Sequence, residues 1–239
     1  MTEVSAVVFD VDGTLYDTRR MRWGLLPRLL KGSLMRPTEA TTVLSVIRSY
    51  RRVHEQLRGR GRDELGGALA DVQLRLTAEL SGEREQEVRR IVHEWFDVAP
   101  LPALAAAARP GLSESLARLR GAGLRTAVLS DYPPIPKLRA LGVEAMFDCV
   151  AWAQEASIGV LKPDPAGLRE VLRRLGVAPE RAVYVGDRPE VDAIAAASAG
   201  CRGVLIGGKG SPDGRIPAFT ELPPLTDWIL DGARAPAEG

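Results

Sequence analysis

Apolar positions follow two rhythms along this chain, and the change between them divides it. A short continuous apolar run, residues 4–9, suits a strand buried on both faces of a parallel sheet. From about residue 18 to residue 107 apolar residues recur at helical spacing, without strand-like runs. Helices are expected over 23–30, 38–58, 63–80 and 83–96, punctuated by Gly59, Gly61, Gly66, Gly67 and Ser81-Gly82. From Pro110 onward the pattern alternates. Helices are expected over 112–121, 134–141, 165–175 and 191–199, and strands over 125–130, 147–151, 182–186 and 202–206. A Gly- and Pro-rich stretch from Gly207 leads to the apolar run 225–230, read as a last docking helix, and residues after Asp231 are expected to fray.

Strand and helix in alternation predict an α/β fold, a Rossmann-like parallel sheet with helices on both faces. The strandless stretch predicts an all-helical cap, residues 18–107, inserted into a core made of residues 1–17 and 108–239. With 239 residues, 45% of them apolar and 26% charged, the chain can bury such a core. A net charge of +1 and few, scattered aromatic residues argue against a nucleic-acid partner. No apolar run reaches the length of a bilayer span, so no membrane partner is expected. The motif at Asp10 leaves no room for a signal peptide, and these points together predict a cytoplasmic protein. Cys149 and Cys201 lack metal-site spacing and read as buried free thiols. Oligomeric state is not legible in the pattern.

The chemistry concentrates where strand-like runs end. The first run closes on Asp10-Val11-Asp12-Gly13-Thr14. In an open parallel sheet the C-terminal end of a strand faces the ligand crevice, so two carboxylates there imply a cation. A plain Asx-rich turn would use the same residue types. The run ending at Leu129 leads into Ser130-Asp131, Lys162 stands before a Pro-Asp-Pro segment, and the run ending at Val185 leads into Gly186-Asp187, with Asp192 nearby.

In these four motifs and their order the chain resembles the haloacid dehalogenase superfamily of phosphohydrolases, over nearly its whole length. The resemblance implies that Asp10 attacks phosphorus and becomes an aspartyl-phosphate, and that Asp12 is the general acid and base. It implies phosphoryl contacts from Thr14, Ser130 and Lys162, and a Mg2+ ion held by Asp10, Asp187 and the main chain of Asp12, with Asp192 in support. The expected partner is a small phosphate ester, as in phosphoglycolate-phosphatase-like members. Asp12 argues against the dehalogenase branch, which does not need it. A phosphomutase uses the same nucleophile, phosphonate cleavage would need Lys31 as a Schiff base, and a regulatory protein could dock through a basic cap. Asp131 departs from the common pattern, because a further carboxylate beside phosphate is costly unless paired or turned away.

Charge is segregated within the insertion. Between Arg19 and Arg62 stand 12 basic residues and two acidic ones, while the following stretch leans acidic. Arg19, Arg20 or Arg22 is expected at the site entrance, favouring a polyanionic substrate. The mixed apolar and basic segment 23–31, interrupted by Pro27, is expected to pack against the cap core rather than lie on a membrane. His54 and His93 read as surface or packing histidines.

Overall fold

A computed structural model describes residues 3–35, 37–207 and 216–233. Within them six strands form one parallel sheet: β1 (Ala6–Phe9), β2 (Arg125–Ser130), β3 (Cys149–Trp152), β4 (Ala182–Gly186), β5 (Arg202–Ile206) and β6 (Ala218–Phe219). Their order is β3-β2-β1-β4-β5-β6, which places β1 in the centre. Phe9 is in register with Val128 of β2 and Val185 of β4. The chain therefore turns outward in opposite directions from β1, and the crevice at such a reversal is where ligands enter parallel sheets.

The period of two decides which core each side chain joins. Val7 and Phe9 enter one apolar cluster with Leu116, Leu119, Leu225 and Ile229; Ala6 and Val8 enter a second with Leu129, Leu168 and Leu172. The first is covered by α7 (Leu112–Gly121) and α11 (Leu222–Leu230), the second by α9 (Ala166–Leu175) and α10 (Ile194–Ala199). All four β1 side chains are buried, which is why its sequence is continuously apolar rather than alternating. The sheet thus carries helices on both faces.

Between β1 and α7 lie only helices among the described residues: α1 (Thr18–Met35), α2 (Pro37–Leu57), α3 (Arg62–Leu65), α4 (Leu69–Ser81), α5 (Glu85–Val92) and α6 (Leu101–Ala107), with a π-helical turn at His93–Val98. Val46, Tyr50, Leu74, Val88 and Ile91 make a core internal to these helices. A second group, Val53, Leu57, Leu69 and Val72, packs on Ala153 and Leu161 from the loops after β3, seating the insertion on the sheet's C-terminal edge.

Several boundaries differ from the sequence expectation for identifiable reasons. The first helix starts at Thr18, not residue 23, because the Asp17 carboxylate accepts the amide hydrogens of Arg19 and Arg20 at 2.7 and 3.1 Å and caps it. It continues through Pro27 instead of stopping there. The expected 63–80 helix is split by left-handed Gly66 into α3 and α4. Short α6 and two-residue β6 were not anticipated, the latter because two residues carry no period. Strand β3 runs two residues later than expected at its start, since the amide of Thr126 and the guanidinium of Arg120 engage Asp148 before pairing begins. Helix 191–199 opens instead as a π-helical turn, Pro189–Ala193.

Trp23 is 71% exposed, so it does not pack as expected; Gly24 does, against Ala103. Cys201 is buried and Cys149 half-buried, both free. The side chain of Lys31, the stretch 208–215 and residues 234–239 lie outside the described part. No described helix is long and apolar enough to cross a membrane.

Candidate active site

The C-terminal ends of β1, β2 and β4 bring Asp10, Ser130-Asp131 and Gly186-Asp187 to one edge of the sheet. A cavity of about 500 Å3 opens above them, beneath the helical insertion. Asp10 lies at its base, 5% exposed, with its amide hydrogen donated to the Val185 carbonyl at 2.8 Å.

Lys162 enters this acidic floor as a buried ammonium. Its Nζ lies 2.6 Å from Asp10 Oδ1, 2.8 Å from Asp192 Oδ1 and 3.1 Å from the Tyr184 hydroxyl. Burial would pull its pKa down, but Asp10 and Asp192 outweigh it and hold the lysine charged. Burial drives Asp10 upward, and the lysine opposes that shift without cancelling it.

The loop after β4 is built around Asp192. Its Oδ2 accepts the amide hydrogens of Asp187 and Arg188 at 3.1 and 3.0 Å, while Oδ1 is taken by Lys162 and Tyr184. Gly186 is needed at that approach: a Cβ there would lie 2.3 Å from the Asp192 side chain. Asp187 is left differently. Its carboxylate accepts no hydrogen bond from any described residue, and burial together with Asp192 pushes its pKa up to about 6. It packs on Gly13, whose φ is +94° and where a Cβ would lie 2.1 Å from Asp187 Oδ2, so there is no space for a side chain.

Asp10, Asp187 and Asp192 present oxygens within 4.8 Å of one another. Hard oxygen donors in a carboxylate excess suit a hard divalent cation. Asp192 already accepts four hydrogen bonds on its two oxygens, whereas Asp187 accepts none from any described residue and Asp10 Oδ2 has only the long contact with Thr14, so Asp10 and Asp187 are the carboxylates with capacity to spare. The Asp12 side chain points elsewhere. Lys137, in the first turn of α8 (Ile135–Ala140), places Nζ 2.6 and 2.8 Å from its two oxygens, and the Tyr16 hydroxyl donates to one of them. Burial would raise the Asp12 pKa, and Lys137 with Tyr16 turns the shift downward.

Thr14 is fully buried and its hydroxyl lies 3.4 Å from Asp10 Oδ2. Arg109 clamps the same turn from the returning chain, donating to the carbonyls of Gly13 and Thr14 at 2.6 and 2.9 Å. Ser130 is also buried, and its Oγ accepts the Tyr132 amide hydrogen at 3.3 Å. Neither Thr14 nor Ser130 reaches the cavity wall, whereas Asp10, Asp12, Lys162, Asp187 and Asp192 do.

Asp131 is paired rather than turned away. Its Oδ2 lies 2.8 Å from Arg58 Nη2 and 3.3 Å from His54 Nε2. His54 is 4% exposed and stacks on Tyr132 at 4.6 Å, so it packs at the cavity rather than on the surface; His93 is exposed beside Asp97. Of the arginines expected at the entrance, Arg22 lines the cavity and Arg19 and Arg20 do not. Sequence reasoning missed Lys137, Tyr16, Arg58 and Tyr184. For Lys137 a signal existed, since it opens the helix directly after the strand-ending Ser130-Asp131.

Parallel sheet, switch-point carboxylates, a buried lysine among them and a helical lid-like insertion together define an α/β enzyme of the hydrolase type. A family model of haloacid dehalogenase-like hydrolases matches residues 4–200, and the chain belongs to that family. It is 30% identical over 213 residues to a glyceraldehyde 3-phosphate phosphatase of Methanopyrus kandleri, covering 85% of this chain and 84% of the relative. It is 28% identical over 233 residues to a phosphoglycolate phosphatase of Rhodospirillum rubrum, covering 94% and 90%. A solved 2-haloacid dehalogenase from Pseudomonas syringae shares the fold with a TM-score of 0.66 at 23% identity, over 97% of this chain and all of that one.

Proposed function

We propose that this hydrolase cleaves a small phosphate monoester with the help of Mg2+, through an aspartyl-phosphate on Asp10. The observation that carries the reading is Asp10 itself, a buried carboxylate at the cavity floor, 2.6 Å from a charged lysine and near Asp187, whose carboxylate no described residue engages. In this reading residues 18–107 are a cap domain over a core of 1–17 and 108–239.

Attack on a phosphate monoester needs a nucleophile in line and positive charge around the phosphoryl oxygens. Asp10 supplies the nucleophile, and Lys162 turns from carboxylate partner to phosphoryl partner. Ser130 and Thr14, which do not reach the cavity wall, support the strand-end turns, Thr14 by its contact with Asp10 and Ser130 by accepting the Tyr132 amide hydrogen. Asp12 gives a proton to the leaving oxygen and later takes one from water; Lys137 and Tyr16 set its position and favour the ionised form that accepts the water proton, and proton donation requires these contacts to loosen when substrate binds. Asp10, Asp187 and the main chain of Asp12 would hold Mg2+, with Asp192 fixing the loop that carries Asp187. When bound, that cation neutralises phosphoryl charge and offsets the carboxylate excess.

Names of the relatives support the substrate class: a phosphorylated aldehyde and a phosphorylated acid are acted on by the two proteins above. The test is phosphate release from a panel of phosphorylated metabolites by wild type and Asp10→Asn, in Mg2+ and in EDTA. Metal-dependent release that Asp10→Asn abolishes is expected. Silence on every substrate, with a phosphorylated sugar rearranged instead, would favour a mutase; release by Asp10→Asn would remove the nucleophile assignment.

A further inference from the structure

The cationic side chains around the cavity are not equivalent. Lys162 is held by Asp10 and Asp192, and Lys137 by Asp12. Arg58 is held by Asp131 and Glu55, and Arg188 by Glu55 and Glu190. Arg22 on α1 and Arg51 on α2 line the same cavity and form no ion pair or hydrogen bond with any described residue.

These two guanidinium groups share a further property: they come from the insertion, whereas Asp10 and Lys162 come from the sheet edge. Arg51 lies over the Phe96 ring, its guanidinium carbon 5.6 Å from the centroid, a cation–π contact that leaves its N–H donors unspent. Partial burial and the neighbouring Arg22 hold the Arg51 pKa below its usual value, as expected for two like charges with no counter-ion between them. Two of the carboxylates lining the cavity, Asp131 and Glu55, are already engaged: both by Arg58, and Glu55 again by Arg188. A cavity of about 500 Å3 also exceeds what one phosphoryl group fills.

We propose that Arg22 and Arg51 form a second anion subsite, so that the substrate is an organic phosphate bearing a further anionic group, carboxylate or phosphoryl, away from the scissile ester. This deepens the phosphatase reading and rests on it. A planar fork takes such a group through paired, charge-assisted hydrogen bonds. A neutral alcohol or aldehyde in the same place leaves both guanidinium groups unmatched, and that difference is the basis of selection. Phosphoglycolate-like substrates then rank above glyceraldehyde-3-phosphate-like ones.

The experiment compares kcat/KM for glycerol 3-phosphate, 3-phosphoglycerate and glycerol 1,3-bisphosphate, which differ at the far end. Wild type is compared with Arg22→Ala, Arg51→Ala and the double variant. The expected result is a preference of about tenfold or more for an anionic far end, falling towards unity in the double variant. The better of carboxylate and phosphoryl names the group. A purely structural role lowers all three substrates together and leaves the ratio unchanged, which would overturn the subsite. Calorimetric binding of phosphonoacetate against ethylphosphonate tests it without turnover. If no ester is hydrolysed yet the acid binds better in wild type and equally in the double variant, the subsite stands and the phosphatase reading falls. Equal binding of both phosphonates by wild type overturns the subsite.

Discussion

Arg58 Nη2 donates to Asp131 Oδ2 at 2.8 Å, joining the residue after α2 to the residue after β2, and its Nη1 donates to the Lys162 carbonyl at 2.6 Å. One guanidinium thus ties the helical insertion to two segments of the sheet edge. It also neutralises the carboxylate that would otherwise repel a phosphate.

Removing it leaves the buried Asp131 with His54 as its one side-chain hydrogen-bond partner among the described residues. Arg58→Ala is expected to lower stability by about 3 kcal/mol, the usual cost of stripping one partner from a buried pair. Urea unfolding at neutral pH measures it. A loss under about 1 kcal/mol would mean that the pair is exchanged for water.

The same pair sets an acid dependence. Burial would raise the Asp131 pKa, but Lys162, His54 and Arg58 hold it well below the ordinary value. A carboxyl depressed on folding contributes stability that is present above the unfolded value of about 3.9 and is lost as pH falls towards its folded value. Wild type is expected to lose more stability than Asp131→Asn between pH 5 and about 3, measured by unfolding across that range.

Asp187 carries the opposite sign. Its pKa is raised to about 6, so in metal-free protein its contribution is present below the unfolded value and lost as pH rises through 6. A bound cation needs the ionised form, so proton and metal compete. Mg2+ affinity, followed by the rise in thermal midpoint, is expected to weaken by up to about tenfold per pH unit below 6. Gly13→Ala, which would drive a Cβ into Asp187, should abolish the rise altogether.

Lys137 offers a test at Asp12. With the ammonium gone, burial dominates and the Asp12 pKa climbs. Lys137→Met is expected to move the Asp12-dependent limb of the pH–rate profile up by about one unit, and Tyr16→Phe by less. A fall in kcat with the limb unmoved would reduce Lys137 to a packing role.

The helices that seat the insertion show where sequence reading succeeds and where it stops. Each of β1, β2, β4 and β5 is a local apolar run, and Asp10, Asp187 and Asp192 sit where those runs end, so both fold class and acidic centre could be read in one dimension. Helix α3 and strand β6 are too short to show a period. The start of α1 depended on a carboxylate cap that hydrophobic spacing does not register.

Contacts between distant segments followed a different rule. Arg58 and Asp131 are 73 residues apart, and Lys137 and Asp12 are 125 apart. Charge segregation marked the insertion as basic but could not say which cations would be neutralised, because pairing depends on where helices land after they fold. The sequence by itself determined the parallel α/β core, its helical insertion and the carboxylates at the strand ends, because burial and turn chemistry are local. Only the tertiary structure decided that Asp131 is neutralised, that Asp12 is anchored by Lys137, and that Arg22 and Arg51 face the cavity without an ion pair among the described residues. Such pairings are made by packing between elements, and packing brings together residues that the chain order keeps apart.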